Sequence, residues 1–155
     1  MLVWLFMLVS IIVIWFMIPD ALGEKKKKLI FLSVSFFIIV MILGGRHYSA
    51  AANSDLYGYQ KWYVRAINTP LDQLLSYGVM EKGYLILNKI LAFFVPWRQF
   101  IYYFQAAFCT GVMFRYIYKN TENVFLGVIV YICIGPWQFF LTAFRQAMAI
   151  CICFI

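Results

Sequence analysis

Two long stretches without charge open the chain. Residues 1–18 carry one polar side chain, Ser10, and residues 29–45 carry no charged one. Between them lie Pro19, Asp20 and four consecutive lysines at 25–28. A helix over the first stretch is about 27 Å long at 1.5 Å per residue, close to the hydrocarbon thickness of a bilayer. The pattern predicts transmembrane helices over 2–18 and 29–45. Lysine-rich turns stay in the cytoplasm, so the N-terminus is expected outside.

Residues 46–82 form the longest polar segment, with four basic and three acidic residues. Asn53, Asn68, Thr69, Pro70 and Gly78 are turn formers, and the segment is expected as an outer loop. Residues 83–95 are apolar except for Asn88 and Lys89. The stretch is short for a span, and a lysine at its middle costs about 2.5–3.5 kcal/mol on insertion. It reads as a re-entrant or interfacial helix; the rival, a full span, inverts everything after it. Two further spans follow, 99–117 and 124–143, the second kinked at Gly135-Pro136. Residues 146–155 begin another apolar helix. The expectation is an all-α, polytopic transmembrane helical bundle with an extracytoplasmic loop. It forms one integral-membrane domain over 1–155, taken as the N-terminal part of a longer protein.

Composition strengthens this picture. The chain is 65% hydrophobic and 12% charged, against roughly 25% charged in soluble domains. Aromatic residues make up 21%, as interfacial belts require. The net charge of +7 does not indicate nucleic acid, because four of the 13 basic residues sit in one juxtamembrane run that suits anionic lipid headgroups. Cys109, Cys133, Cys151 and Cys153 lie in apolar runs without metal-ligand spacing, so no metal site is expected. The first apolar stretch has its basic residues after it rather than before, unlike a signal peptide.

Candidate chemistry gathers in four short strings, all placed outside by this topology. They are Gly44-Gly45-Arg46, Asp55-Leu56-Tyr57-Gly58-Tyr59, Glu81-Lys82-Gly83-Tyr84 and Phe144-Arg145-Gln146. Arg46 and Arg145 have two readings: snorkelling anchors, or a clamp for a diphosphate, which guanidinium groups bind in bidentate fashion. Arg98 is placed to join them. Asp55 reads as a turn or helix cap, or as a general base or sugar ligand. Glu81 reads as a first-turn residue at a helix N-terminus, or as a second proton-transfer carboxylate. Tyr57, Tyr59, Trp62 and Tyr63 suit an interfacial belt or a sugar-stacking groove. His47 and Gln146 are further candidate ligands. Walker A, GxGxxG and HExxH motifs and a serine nucleophile elbow are missing, which argues against ATP-driven and soluble-enzyme chemistry.

The order of these strings resembles the EpsG family, Wzy-like polymerases of bacterial exopolysaccharide. The resemblance runs from two opening helices around a lysine turn, through Gly45-Arg46, Asp55 with Tyr57 and Tyr59, and Glu81-Lys82-Gly83-Tyr84-Leu85 with Leu87-Asn88, to Phe144-Arg145-Gln146-Ala147 with Ala149. It implies a multi-pass protein of the bacterial plasma membrane that polymerises polyprenyl-diphosphate-linked oligosaccharides for exopolysaccharide or capsule. The implied reaction is glycosyl transfer at the outer leaflet, without ATP or another cofactor. Asp55 and Glu81 would be catalytic; Arg46, Arg145, Arg98, Tyr57, Tyr59, Trp62, His47 and Gln146 would hold substrate. Implied partners are the lipid-linked glycan, the bilayer and other polysaccharide-assembly membrane proteins. A flippase or transporter of lipid-linked glycans is the alternative, and it would favour charges deep in a central cavity. Family members are longer than this chain.

Overall fold

A computed structural model of the 155-residue chain describes residues 2–45, 54–78, 80–134 and 143–154. Among them all regular structure is helical: α1 (Leu2–Met17), a 3₁₀ turn (Asp20–Leu22), α2 (Glu24–Gly44), α3 (Ser54–Asn68), α4 (Leu71–Ser76), α5 (Lys82–Phe94), α6 (Phe100–Asn120), α7 (Val124–Ile134) and α8 (Phe144–Cys153). By length and composition α2 is able to cross a membrane; α1, α7 and α8 are apolar but shorter. The expected kink at Gly135-Pro136 lies outside the described residues.

The differences from the sequence expectations have local causes. The lysine run is the first turn of α2 rather than part of a loop. Gly23, at φ +80°, makes the break one residue before Glu24, and a Glu24–Lys28 ion pair spans the first turn. The described part of the polar segment, 54–78 and 80–82, is largely helical. Thr69 and Pro70 follow α3, which ends at Asn68, and Gly78 follows α4. Within α3, Tyr59, Trp62, Tyr63 and Ala66 recur at three- and four-residue spacing and are all buried, an amphipathic stripe.

Two apolar clusters organise the helices. The first joins Met7 and Ile11 of α1, Phe31 and Ile39 of α2, Cys109 and Phe114 of α6, Val124 and Val128 of α7, and Ala147 and Cys151 of α8. Its closest helix pair is α2 with α6, which run antiparallel. A Cβ on Gly44 would stand 2.3 Å from the Tyr103 ring, and the Gln99 side chain donates to the Gly44 carbonyl at 3.0 Å. Further along, Phe36 meets Phe114 at 6.5 Å between centroids. The second cluster joins Tyr59, Tyr63 and Ala66 of α3, Leu74 of α4, Tyr84 and Leu85 of α5, Ile101 and Tyr102 of α6, and Phe144 of α8. Met148 touches both clusters. Helix α8 runs parallel to α6, with Phe144 packed in the same cluster as Tyr102 and Phe154 stacked edge-on against Tyr116 at 5.3 Å.

Candidate functional site

Where the two clusters meet, the start of α5 faces the start of α8 across a cleft of about 710 Å³. Tyr59, Glu81, Gly83, Tyr84 and Leu87 form one side, and Arg145, Gln146, Met148, Ala149 and Ile152 the other. Glu81 is the N-cap of α5, in extended conformation and without a side-chain cap bond to the helix, and its carboxylate reaches across the cleft. It pairs with the Arg145 guanidinium. The Glu81 carboxyl lies below its ordinary value, held there by its own backbone N–H and then by Arg145. The Arg145 guanidinium lies between Glu81 and the Tyr59 hydroxyl. The mouth of the cleft is thus charged and the α8 wall below it apolar. A guanidinium with donors to spare beside a carboxylate suits an oxyanion and an acidic hydroxyl proton in the same space.

The structure brings four sequence candidates to this cleft: Glu81, Arg145, Gln146 and Tyr59. Others lie elsewhere. Trp62 is covered by the Arg65 guanidinium, 4.7 Å above its ring, and by Tyr77. Tyr63 is fully buried and donates to the Val95 carbonyl at 2.7 Å. Tyr57 is 41% exposed, and neither it nor Arg98 lines the cleft. Asp55 lies in the first turn of α3. Arg46 and His47 lie outside the described residues, directly after the end of α2.

Three features had no site role in the sequence reading. Tyr84 forms a wall of the cleft, although it belongs to the same string as Glu81. Ala149 and Met148, spaced from Arg145 by one helical turn, continue the wall; that spacing was legible once a helix began at Phe144. Gln99 ties Gly44 at the C-terminus of α2, two residues before Arg46, to α3 through a 3.3 Å contact with Gln60. That tie carries no sequence signal, because Gln60 and Gln99 are 39 residues apart.

The EpsG family model matches residues 29–155. No curated protein and no solved structure matches the chain.

Proposed function

The chain belongs to the EpsG family, and on that premise we propose that it polymerises polyprenyl-diphosphate-linked oligosaccharides at the outer leaflet of the bacterial plasma membrane. Helices α1, α2, α6, α7 and α8 are the membrane part, and α3 to α5 form an outer cap. In the reaction the anomeric carbon of one lipid-linked glycan is attacked by a hydroxyl oxygen of another. The bond from that carbon to the diphosphate oxygen breaks, a glycosidic bond forms, and polyprenyl diphosphate leaves. The hydroxyl proton passes to a carboxylate.

The observation that carries this reading is the convergence of Glu81 and Arg145, 64 residues apart, on one cleft. Arg145 and Gln146 hold the departing diphosphate, with Arg46 as a second cation. Glu81 or Asp55 accepts the proton. A diphosphate that takes Arg145 from Glu81 also raises the Glu81 carboxyl part of the way toward its ordinary value, since one of the two contacts that lower it has gone. Substrate binding would then make the base stronger as it is needed.

Arg145→Lys in the full-length protein is the test. Lysine keeps the charge and loses the planar fork. Polymer per unit of membrane protein should fall on the order of 10²–10³, as for loss of one preorganised donor. A snorkelling anchor would tolerate the change, because lysine also snorkels, and normal polymer would return Arg145 to that role.

A further inference from the structure

Tyr84 and Asn88 stand one turn apart on α5 and share a face of it. Tyr84 is 8% exposed and Asn88 0%. Among the described residues, the Tyr84 hydroxyl and both polar atoms of the Asn88 carboxamide make no hydrogen bond of good geometry, although the hydroxyl and the carboxamide lie near enough to interact with each other. Ser35 Oγ, on α2, is the other such atom. Buried polar groups are nearly always paired, because an unpaired one has given up water for nothing. Here three such atoms lie together behind the wall of the cleft that Tyr84 lines.

The surroundings define what would pair with them. A phenol hydroxyl gives and accepts one hydrogen bond, and a carboxamide adds two donors and an acceptor; both groups are neutral. The rings of Tyr59 and Phe144 lie 5.9 and 5.6 Å from the Tyr84 ring. Neutral donors and acceptors beside aromatic rings match a ligand with neighbouring hydroxyls on a ring with apolar C–H faces. We propose that Tyr84 and Asn88 are the hydroxyl-recognition subsite of the cleft and take a pyranose ring of the bound glycan. The assignment rests on the polymerase reading for the glycan and extends it to two residues of α5. Arg145 is an electrostatic neighbour of the Tyr84 hydroxyl.

Tyr84→Phe and Asn88→Leu remove the unpaired atoms and nearly conserve volume. In the full-length protein, each should leave the thermal midpoint in detergent unchanged or higher, since an unpaired buried group is a cost when no ligand is bound. Each should also lower polymer per unit of membrane protein by about tenfold or more, the worth of a good hydrogen bond. A lower midpoint would mean that the groups are paired in the free protein, with each other or with ordered water, and would overturn the assignment. Normal polymer from both variants beside an inactive Arg145→Lys would fault the subsite alone. Unchanged polymer in cells that lack the protein altogether would fault the polymerase reading.

Discussion

The Lys89 ammonium donates to the Thr69 carbonyl at 2.8 Å and to the Ala66 carbonyl at 2.9 Å. These are carbonyls at the C-terminus of α3, where the helix leaves acceptors unsatisfied and carries partial negative charge. The charge that makes α5 a poor span is therefore the cap of another helix.

Lys89→Met should destabilise the protein by about 1.5–3 kcal/mol, the worth of hydrogen bonds to a charged group. Denaturant unfolding in detergent would measure it. A span facing lipid would respond in the opposite sense, so a gain in stability would favour the inverted topology.

Much of this arrangement was legible in the sequence, and the gaps have physical reasons. Uncharged runs marked the apolar parts of α1, α2, α6 and α7, because hydrophobicity over many residues is a strong signal, while the lysine run that opens α2 read as a loop. Polar composition hid α3, since a helix of the cap needs only the stripe of Tyr59, Trp62, Tyr63 and Ala66 to be apolar. The strings containing Glu81 and Arg145 stood out by residue type. That they face each other, while Trp62 turns toward Arg65 and Tyr77, depends on how α3, α5 and α8 pack. No spacing in the chain encodes that packing.

Gly44 gives a second prediction. A Cβ there would fall 2.3–2.7 Å from three atoms of the Tyr103 ring, inside the closest helix pair of the fold. Gly44→Ala should cost about 1–3 kcal/mol through overpacking. Adding Tyr103→Ala should recover part of that loss in a double-mutant cycle, because the two sites share one clash. Purely additive effects would show that the ring is not the obstacle.

The Glu81–Arg145 pair gives a third, with a defined sign. The folded-state pKa of Glu81 lies below its ordinary 4.5. Its contribution to stability is therefore complete above pH 4.5 and is lost as pH falls through the folded value. The Glu81 and Arg145 side chains are 66% and 38% exposed, so solvent screens the pair and the contribution is about 0–1 kcal/mol. Glu81→Gln should shift the midpoint little between pH 5 and 8, with the difference vanishing in more acid solution. A large loss of stability at neutral pH would show the pair to be structural rather than a contact that substrate exchanges.

Orientation is testable by single cysteines in a background without the four native ones. In the proposed topology, cysteines replacing Tyr57 and Gln146 react with an impermeant reagent from outside the cell. Those replacing Lys25 and Glu122 react only after the membrane is opened. Labelling of position 146 only from the cytoplasmic side would invert everything after α5.

Two of the four lysines of α2 are already engaged in the finished molecule, Lys27 with Asp20 and Lys28 with Glu24. Lys27 also lies 4.7 Å from the centre of the Trp15 ring. The contacts to Asp20 and Trp15 need α1, the short turn and α2 assembled. A helix entering the bilayer is sorted by its lysines and arginines, and acidic neighbours count for little. The segment would therefore act twice during the protein's biogenesis. As nascent chain it presents four charges that hold the turn back from translocation. Afterwards one of those charges, Lys27, becomes the clasp that fastens α1 against α2. Replacing Asp20 by a neutral residue should then loosen the clasp and leave the direction of insertion as it was.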